Sequence, residues 1–261
     1  MSILSEIGRY AMVRVMKDKE SMSLDRLKSL VEGLPKGDFP FEENLRKPGI
    51  SLICEVKKAS PSKGVIDPTF DYLKIAHDYE RGGADAISCL TEPKWFLGSD
   101  KIFKDIRNKV KVPMLRKDFV VDEYQIYQAK LLGTDCILLI VALLEKETLK
   151  RFIDIATSIG LSALVETHDE KEIKIALEAG AKILGVNNRN LHDFSVDLSN
   201  AKKLRDMIPS NVYYVAESGI TSIEDAGLMI KAGADALLIG EFLMRSDKKS
   251  ILIKKIKEAG K

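Results

Sequence analysis

Four apolar runs of this chain end in charge: Cys54-Glu55-Val56-Lys57-Lys58, Leu115-Arg116-Lys117-Asp118, Leu164-Val165-Glu166 and Val215-Ala216-Glu217-Ser218-Gly219. Closing a core run with an ion costs desolvation unless the ion has a partner or a task, so four such ends point to one shared polar site. A lysine in a crowded, partly dry setting can serve as a proton donor, which is the chemistry open to Lys117. Lys117 could also be an ion-pair partner for Asp118, Glu55 or Glu166. A carboxylate among lysines serves as a base and one among apolar groups as an acid; the residues leave both roles open for Glu166 and Glu217. Glu55 and Lys57 are two apart, so on a strand their side chains point the same way.

Around these sit groups suited to holding a substrate. Asn187 and Arg189, in Gly185-Val186-Asn187-Asn188-Arg189-Asn190-Leu191, offer a neutral hydrogen bond and a fork for carboxylate or phosphate. Gly219 and Gly240, in Glu217-Ser218-Gly219-Ile220 and Ile239-Gly240-Glu241-Phe242, permit the close backbone approach by which late strand-to-helix loops cradle phosphate. The segment Lys57-Lys58-Ala59-Ser60-Pro61-Ser62-Lys63-Gly64 reads as a loop that can act as a lid, since Pro, Ser and Gly continue neither helix nor strand.

The elements that must position these groups follow from periodicity. Short Val/Ile/Leu-rich runs predict strands over 51–56, 85–90, 112–116, 135–141, 162–166, 182–187, 211–217 and 235–240. Apolar residues three and four apart predict helices between them, over 70–81, 122–132, 146–159, 170–179 and 223–232. Gly83-Ala84-Asp85, Gly133-Thr134-Asp135, Gly180-Ala181-Lys182 and Gly233-Ala234-Asp235 each stand between a helix and a strand, where a left-handed glycine closes the helix. Eight alternating units in 261 residues favour an α/β fold, a closed (β/α)8 TIM barrel, over an open doubly wound sheet, which would want G-x-G-x-x-G after its first strand. One barrel domain over 49–261 is expected, with residues 1–48 an N-terminal helical extension. Ile3, Ile7, Tyr10 and Ala11 mark an amphipathic helix over 3–17, and 23–32 a second, covering the barrel floor or flanking the site.

Composition excludes several classes. Lys plus Arg at 41 against Asp plus Glu at 39 gives no field for a nucleic-acid partner. No apolar stretch nears the ~20 residues that cross a bilayer, so no membrane role and a cytoplasmic location are expected. Cys54, Cys89 and Cys136 are odd in number and lie inside apolar runs, as buried packing in a reducing compartment would have them. His77, His168 and His192 lack paired ligand spacing, so no metal is expected. Lys254, Lys255 and Lys257 read as a solvated helix face.

Taken in order, Glu55-x-Lys57-x-x-Ser60-Pro61-Ser62, Thr91-Glu92-Pro93-Lys94-Trp95-Phe96-Leu97-Gly98, Arg116-Lys117-Asp118-Phe119, Leu164-Val165-Glu166, Asn187-x-Arg189-x-Leu191 and Ala216-Glu217-Ser218-Gly219-Ile220 resemble the indole-3-glycerol-phosphate synthase family. The resemblance runs from about Leu4 to near Arg245. It implies a cofactor-free ring closure of tryptophan biosynthesis, turning the phosphorylated small molecule 1-(2-carboxyphenylamino)-1-deoxyribulose 5-phosphate into indole-3-glycerol phosphate, carbon dioxide and water. It implies Lys117 as the general acid on the ketone oxygen and Glu166 as the general base in the later loss of water. Lys57 would bind an anionic group and could donate a proton, with Glu55 tuning the lysines. Asn187, Glu217 and Ser218 would hold the intermediate and Arg189 an anion; Phe96, Leu138 and Leu191 would wall the aromatic ring, and Ser60, Gly219, Gly240 and Glu241 would line the substrate. Other enzymes of the tryptophan pathway are possible partners.

Where the family commonly has Ser or Thr after Gly240, this chain has Glu241, which must turn outward if phosphate is to bind on backbone N–H groups. A phosphoribosyl anthranilate isomerase would need a Cys/Asp acid–base arrangement that cysteines within strands do not offer. A non-catalytic sugar-phosphate binder has no need of Glu55, Lys57, Lys117 and Glu166 together.

Overall fold

The computed structural model describes residues 2–190 and 195–260. Eight strands, β1 (Ser51–Val56), β2 (Ala86–Leu90), β3 (Met114–Lys117), β4 (Cys136–Ile140), β5 (Ser162–Thr167), β6 (Ile183–Asn187), β7 (Tyr213–Glu217) and β8 (Ala236–Ile239), close into a barrel in which each is parallel to its neighbours. Strand alternation then sorts every side chain. Ile53, Ala86, Leu115, Leu138, Leu164, Ile183, Val215 and Leu238 fill the interior. Leu52, Cys54, Ile87, Cys89, Met114, Ile137, Leu139, Val165, Leu184, Tyr214 and Leu237 face the surrounding helices. The third strand starts later and ends later than its apolar pattern suggests, because Pro113 has no N–H for the ladder and Lys117 pairs with Leu90.

Helices start where a Ser or Asp side chain accepts an early backbone N–H, as Ser23, Asp71, Ser99 and Ser222 do. Asp122 and Gln125 form a reciprocal cap. Gly83, Gly133, Gly180 and Gly233 turn out of their helices at φ of 93°, 81°, 90° and 86°. The aspartate two residues on does more than mark the turn. Asp85 donates its N–H to the carbonyl of Leu52 and accepts the Leu52 N–H on its carboxylate, at 2.9 and 2.8 Å. Asp135 does the same with Met114 (3.0 and 2.8 Å), and Asp235 with Tyr214 (2.9 and 2.8 Å). Each clasp fastens a strand's start to the strand before it.

The extension takes both places open to it. Helix Ile3–Ser21 lies at the mouth, burying Leu4, Ile7, Ala11 and Val15. Helix Leu24–Glu32 flanks the barrel through Leu27 and Val31. A third helix, Pro40–Leu45, plugs the floor with Phe41 and Leu45, while Asn44 donates to the carbonyl of Asp85 at 2.7 Å. At six residues it is too short to show a period. Two expectations need correction. The segment after β1 folds into a small hairpin, Ala59–Ser60 against Gly64–Val65, because Gly64 at φ 65° turns it back. Lys254 and Lys255 are exposed as expected, but Lys257 is only partly so: it donates to Asp85 Oδ2 at 2.8 Å and to the carbonyl of Gly83 at 3.1 Å, tying the last helix to a floor turn.

Candidate active site

The carboxyl ends of the strands open into a cavity of about 620 Å³. Glu55, Lys57, Ser60, Phe96, Lys117, Leu138, Glu166, Asn187, Arg189, Glu217, Ser218, Gly219, Gly240 and Glu241 all line it. Leu191 lies outside the described residues. The sequence reading omits the contribution of Ile3, Leu4 and Ile7, whose helix closes one side with an apolar stripe. Their spacing carried that signal, since the same stripe that marks the helix also has to be buried.

Interior and exterior alternate through the charged ends. Lys117 points inward, its Nζ 3.1 Å from Glu166 Oε2 and 3.5 Å from Glu217 Oε2. Its neighbours in sequence point outward. Asp118 takes a two-pronged bond from Arg14 at 2.6 and 3.2 Å and another from Thr91 Oγ1 at 2.8 Å. Arg116 reaches Asp100 and Gln128 at 2.8 and 2.9 Å. Of the ion pairs open to Lys117, the one with Glu166 is therefore formed and Asp118 instead ties the N-terminal helix to β3. Just past the end of β1, Lys57 Nζ rests 2.5 Å from Glu55 Oε1.

Burial alone would drive a proton off Lys117, but Glu166, Glu217 and Glu55 hold its pKa above the ordinary lysine value. Burial opposes ionisation of Glu166 as well; Lys117, His168 and Asn187 outweigh it and hold that carboxyl below its usual range. Glu217 moves the other way, raised by burial and by its negative neighbours Glu166 and Glu55 against the pull of Lys117. Its Oε1 is buried and has no hydrogen-bond partner among the described residues. Two inward carboxyls beside one lysine thus have opposite affinities for a proton.

Glycines make this crowding possible. A Cβ on Gly185, which pairs with Glu166 across β5 and β6, would stand 2.0 Å from Glu217 Oε1. A Cβ on Gly240 would stand 2.4 Å from Glu55 Oε1 and 2.9 Å from Lys57 Nζ. Sequence alone does not mark Gly185 as a site residue, because a lone glycine in a strand has many causes.

The surrounding loops are built to aim side chains. Asn187 donates to Glu166 Oε1 at 3.1 Å and accepts the Arg189 N–H at 3.0 Å, so both ends of its amide are fixed. Glu92 is fully buried and accepts the N–H groups of Lys94, Trp95 and Phe96 at 2.9, 2.7 and 3.0 Å. That presents Phe96 to the cavity, 5.9 Å from the ring of Phe119. Ser218 and Gly219 are both left-handed, at φ 65° and 83°. Glu241 accepts from Arg245 Nε at 2.9 Å, along its own short helix.

The sequence model of indole-3-glycerol phosphate synthase matches residues 4–256. The indole-3-glycerol phosphate synthase of Ruminiclostridium cellulolyticum is 51% identical over 245 residues, 94% of this chain and 94% of that one. Its counterpart in Lacticaseibacillus paracasei is 48% identical over 257 residues, 98% of this chain and 99% of that one. Among solved structures, thiamine phosphate pyrophosphorylase from Pyrococcus furiosus superposes with a TM-score of 0.62 at 17% identity, over 80% of this chain and 95% of that one, a likeness of fold alone. On the family match and on relatives near half identical along almost the whole length, the chain belongs to the indole-3-glycerol phosphate synthase family.

Proposed function

We propose that Lys117 is the general acid and Glu166 the general base of the reaction from which the family takes its name. That reaction makes the chain a carboxy-lyase of tryptophan biosynthesis: 1-(2-carboxyphenylamino)-1-deoxyribulose 5-phosphate closes to indole-3-glycerol phosphate, with loss of carbon dioxide and water and no cofactor. The observation that carries the assignment is the Lys117 ammonium lying between Glu166 and Glu217 inside the cavity, at 3.1 and 3.5 Å.

As the aromatic ring carbon attacks the ketone carbon, negative charge grows on the ketone oxygen. Lys117 sits where it can neutralise that charge with a proton, and Glu166 and Glu217 keep the proton on it until then. Decarboxylation restores an electron pair to the ring. Loss of water then needs a proton removed, and Glu166 is held ionised, as a base must be. Lys57, paired with Glu55, and Arg189 supply cations for the carboxylate and the phosphate. The left-handed Ser218-Gly219 turn and the Gly240 turn offer backbone N–H groups to the phosphate, with Glu241 drawn aside by Arg245. Ser60 of the hairpin, Phe96 and Leu138 bound the space for the aromatic ring.

No described helix is long and apolar enough to cross a membrane. The proposed setting is the cytoplasm, with other enzymes of the tryptophan pathway as possible partners and no nucleic acid. The test is turnover of the carboxyphenylamino-deoxyribulose phosphate by the purified chain, followed by indole fluorescence without added metal or nucleotide. Lys117→Met should lower kcat by about 10²–10⁴ while much of the substrate affinity survives. Near-normal turnover in that variant refutes the acid assignment.

A further inference from the structure

We propose that His168, gripped by Glu172 behind the cavity wall, is a positioning residue that engages one oxygen of Glu166 and leaves the other to take up the proton. This rests on Glu166 being the base. His168 Nδ1 lies 2.9 Å from Glu172 Oε2, which also accepts the His168 backbone N–H at 2.8 Å. The carbonyl of His168 accepts from Asn200 Nδ2 at 3.1 Å, so the residue is fixed at three points. Its Nε2 then faces Glu166 Oε1 at 3.5 Å.

Both ring nitrogens look at carboxylate oxygens, and ionised carboxylates only accept. A neutral imidazole would turn a lone pair on one of them, so the ring carries both protons. Burial opposes that charge, yet Glu166 and Glu172 together raise the His168 pKa to about 10. A separation of 3.5 Å is long for a hydrogen bond, so the ring acts on Glu166 mainly through its charge. Asn187 also donates to Oε1, at 3.1 Å. Oε1 is therefore engaged from behind by one cation and one amide, while Oε2 faces Lys117 and the cavity at 3.1 Å. The charged groups around the pair are Glu172 on the outer side, Lys117 across the mouth, and Glu217 and Glu55 beyond it.

The test compares kcat against pH for the unaltered enzyme, His168→Gln and Glu172→Gln, with imidazole ¹⁵N shifts of His168 recorded on the whole enzyme. Removing the cation beside Oε1 makes Glu166 easier to protonate. The acidic limb of the profile should therefore move up by on the order of one pH unit in His168→Gln, with KM changed less than about threefold. Glu172→Gln frees the ring but also removes a negative charge facing it, so the limb should move by less than in His168→Gln; the ¹⁵N shifts of that variant should show a ring whose pKa has fallen, and this readout serves alone if the histidine variant fails to fold. The ¹⁵N shifts should show both nitrogens protonated at neutral pH. Unmoved acidic limbs, or a neutral ring at pH 7, overturn the proposal. Glu166→Gln separates the two readings: lost turnover with unmoved limbs overturns only the role of His168, whereas retained turnover overturns the base assignment beneath it.

Discussion

Gly185→Ala is the sharpest test of how tightly the site is packed. The new methyl would lie 2.0 Å from Glu217 Oε1, 3.1 Å from its carboxyl carbon and 3.3 Å from Leu164 Cδ1. Ordinary contact begins near about 3.4 Å, so the carboxylate must retreat by roughly 1.4 Å. Protein surrounds it except toward the cavity, and it is only 2% exposed, so it is displaced into the space substrate needs and away from its 3.5 Å approach to Lys117. A misplacement of about 1 Å in such a constellation costs on the order of 10²-fold, and that is the expected loss in kcat. Stability should barely change, within about 1 kcal/mol, because a strand accepts alanine and the group that yields is the end of a side chain. Steady-state kinetics by indole fluorescence and urea unfolding read the two effects separately. Gly227→Ala, where a methyl meets nothing within 4 Å, is the control and should leave kcat unchanged. A Gly185→Ala enzyme with kcat within about threefold of the parent refutes the packing argument. So does one that loses stability instead of rate.

Two further outcomes follow from the polar scaffold around the site. Asp118→Asn should destabilise the fold by about 3 kcal/mol at neutral pH, since Arg14 and Arg116 lose a fully buried counter-charge. Burial would raise the Asp118 pKa, but Arg116 and Arg14 hold it below 3.8, so its stabilisation is present above that value. The gap between parent and variant in urea unfolding should therefore close as pH falls through the folded-state pKa; a constant gap would refute the charge argument. Glu92→Ala should raise KM by about tenfold with kcat less affected, because three loop N–H groups lose their acceptor and Phe96 loses its aim; an unchanged KM would show that the loop holds itself.

Which parts of this were legible in the sequence depended on whether a physical rule has a fixed period. Alternation along a strand is strict, so Glu55 and Lys57 could be placed on one face, and charges closing several strands could be read as one site. Helix-closing glycines likewise announce left-handed turns, which Gly83, Gly133, Gly180 and Gly233 make. The same alternation sets Asp118 on the face opposite Lys117; what was not legible is the partner it finds there, Arg14, which comes from the N-terminal helix. Helix Pro40–Leu45 was missed because six residues hold less than two turns. His168 was read only as a histidine without a metal partner; Glu172 stands four residues on, a spacing that places two groups on one helical face and gave the available hint.

Asp85, Asp135 and Asp235 hold their strands at the end of the barrel opposite the reacting groups. Each is a local clasp between adjacent strands and borrows nothing from the loops above. Exchange of a rim segment, whether by mutation over generations or by design at the bench, therefore leaves the closure of the cylinder in place. By the same reasoning, replacing those three aspartates with alanine would leave the Leu52, Met114 and Tyr214 N–H groups without their side-chain acceptor and loosen the sheet's closure, while every group at the rim kept its chemical identity.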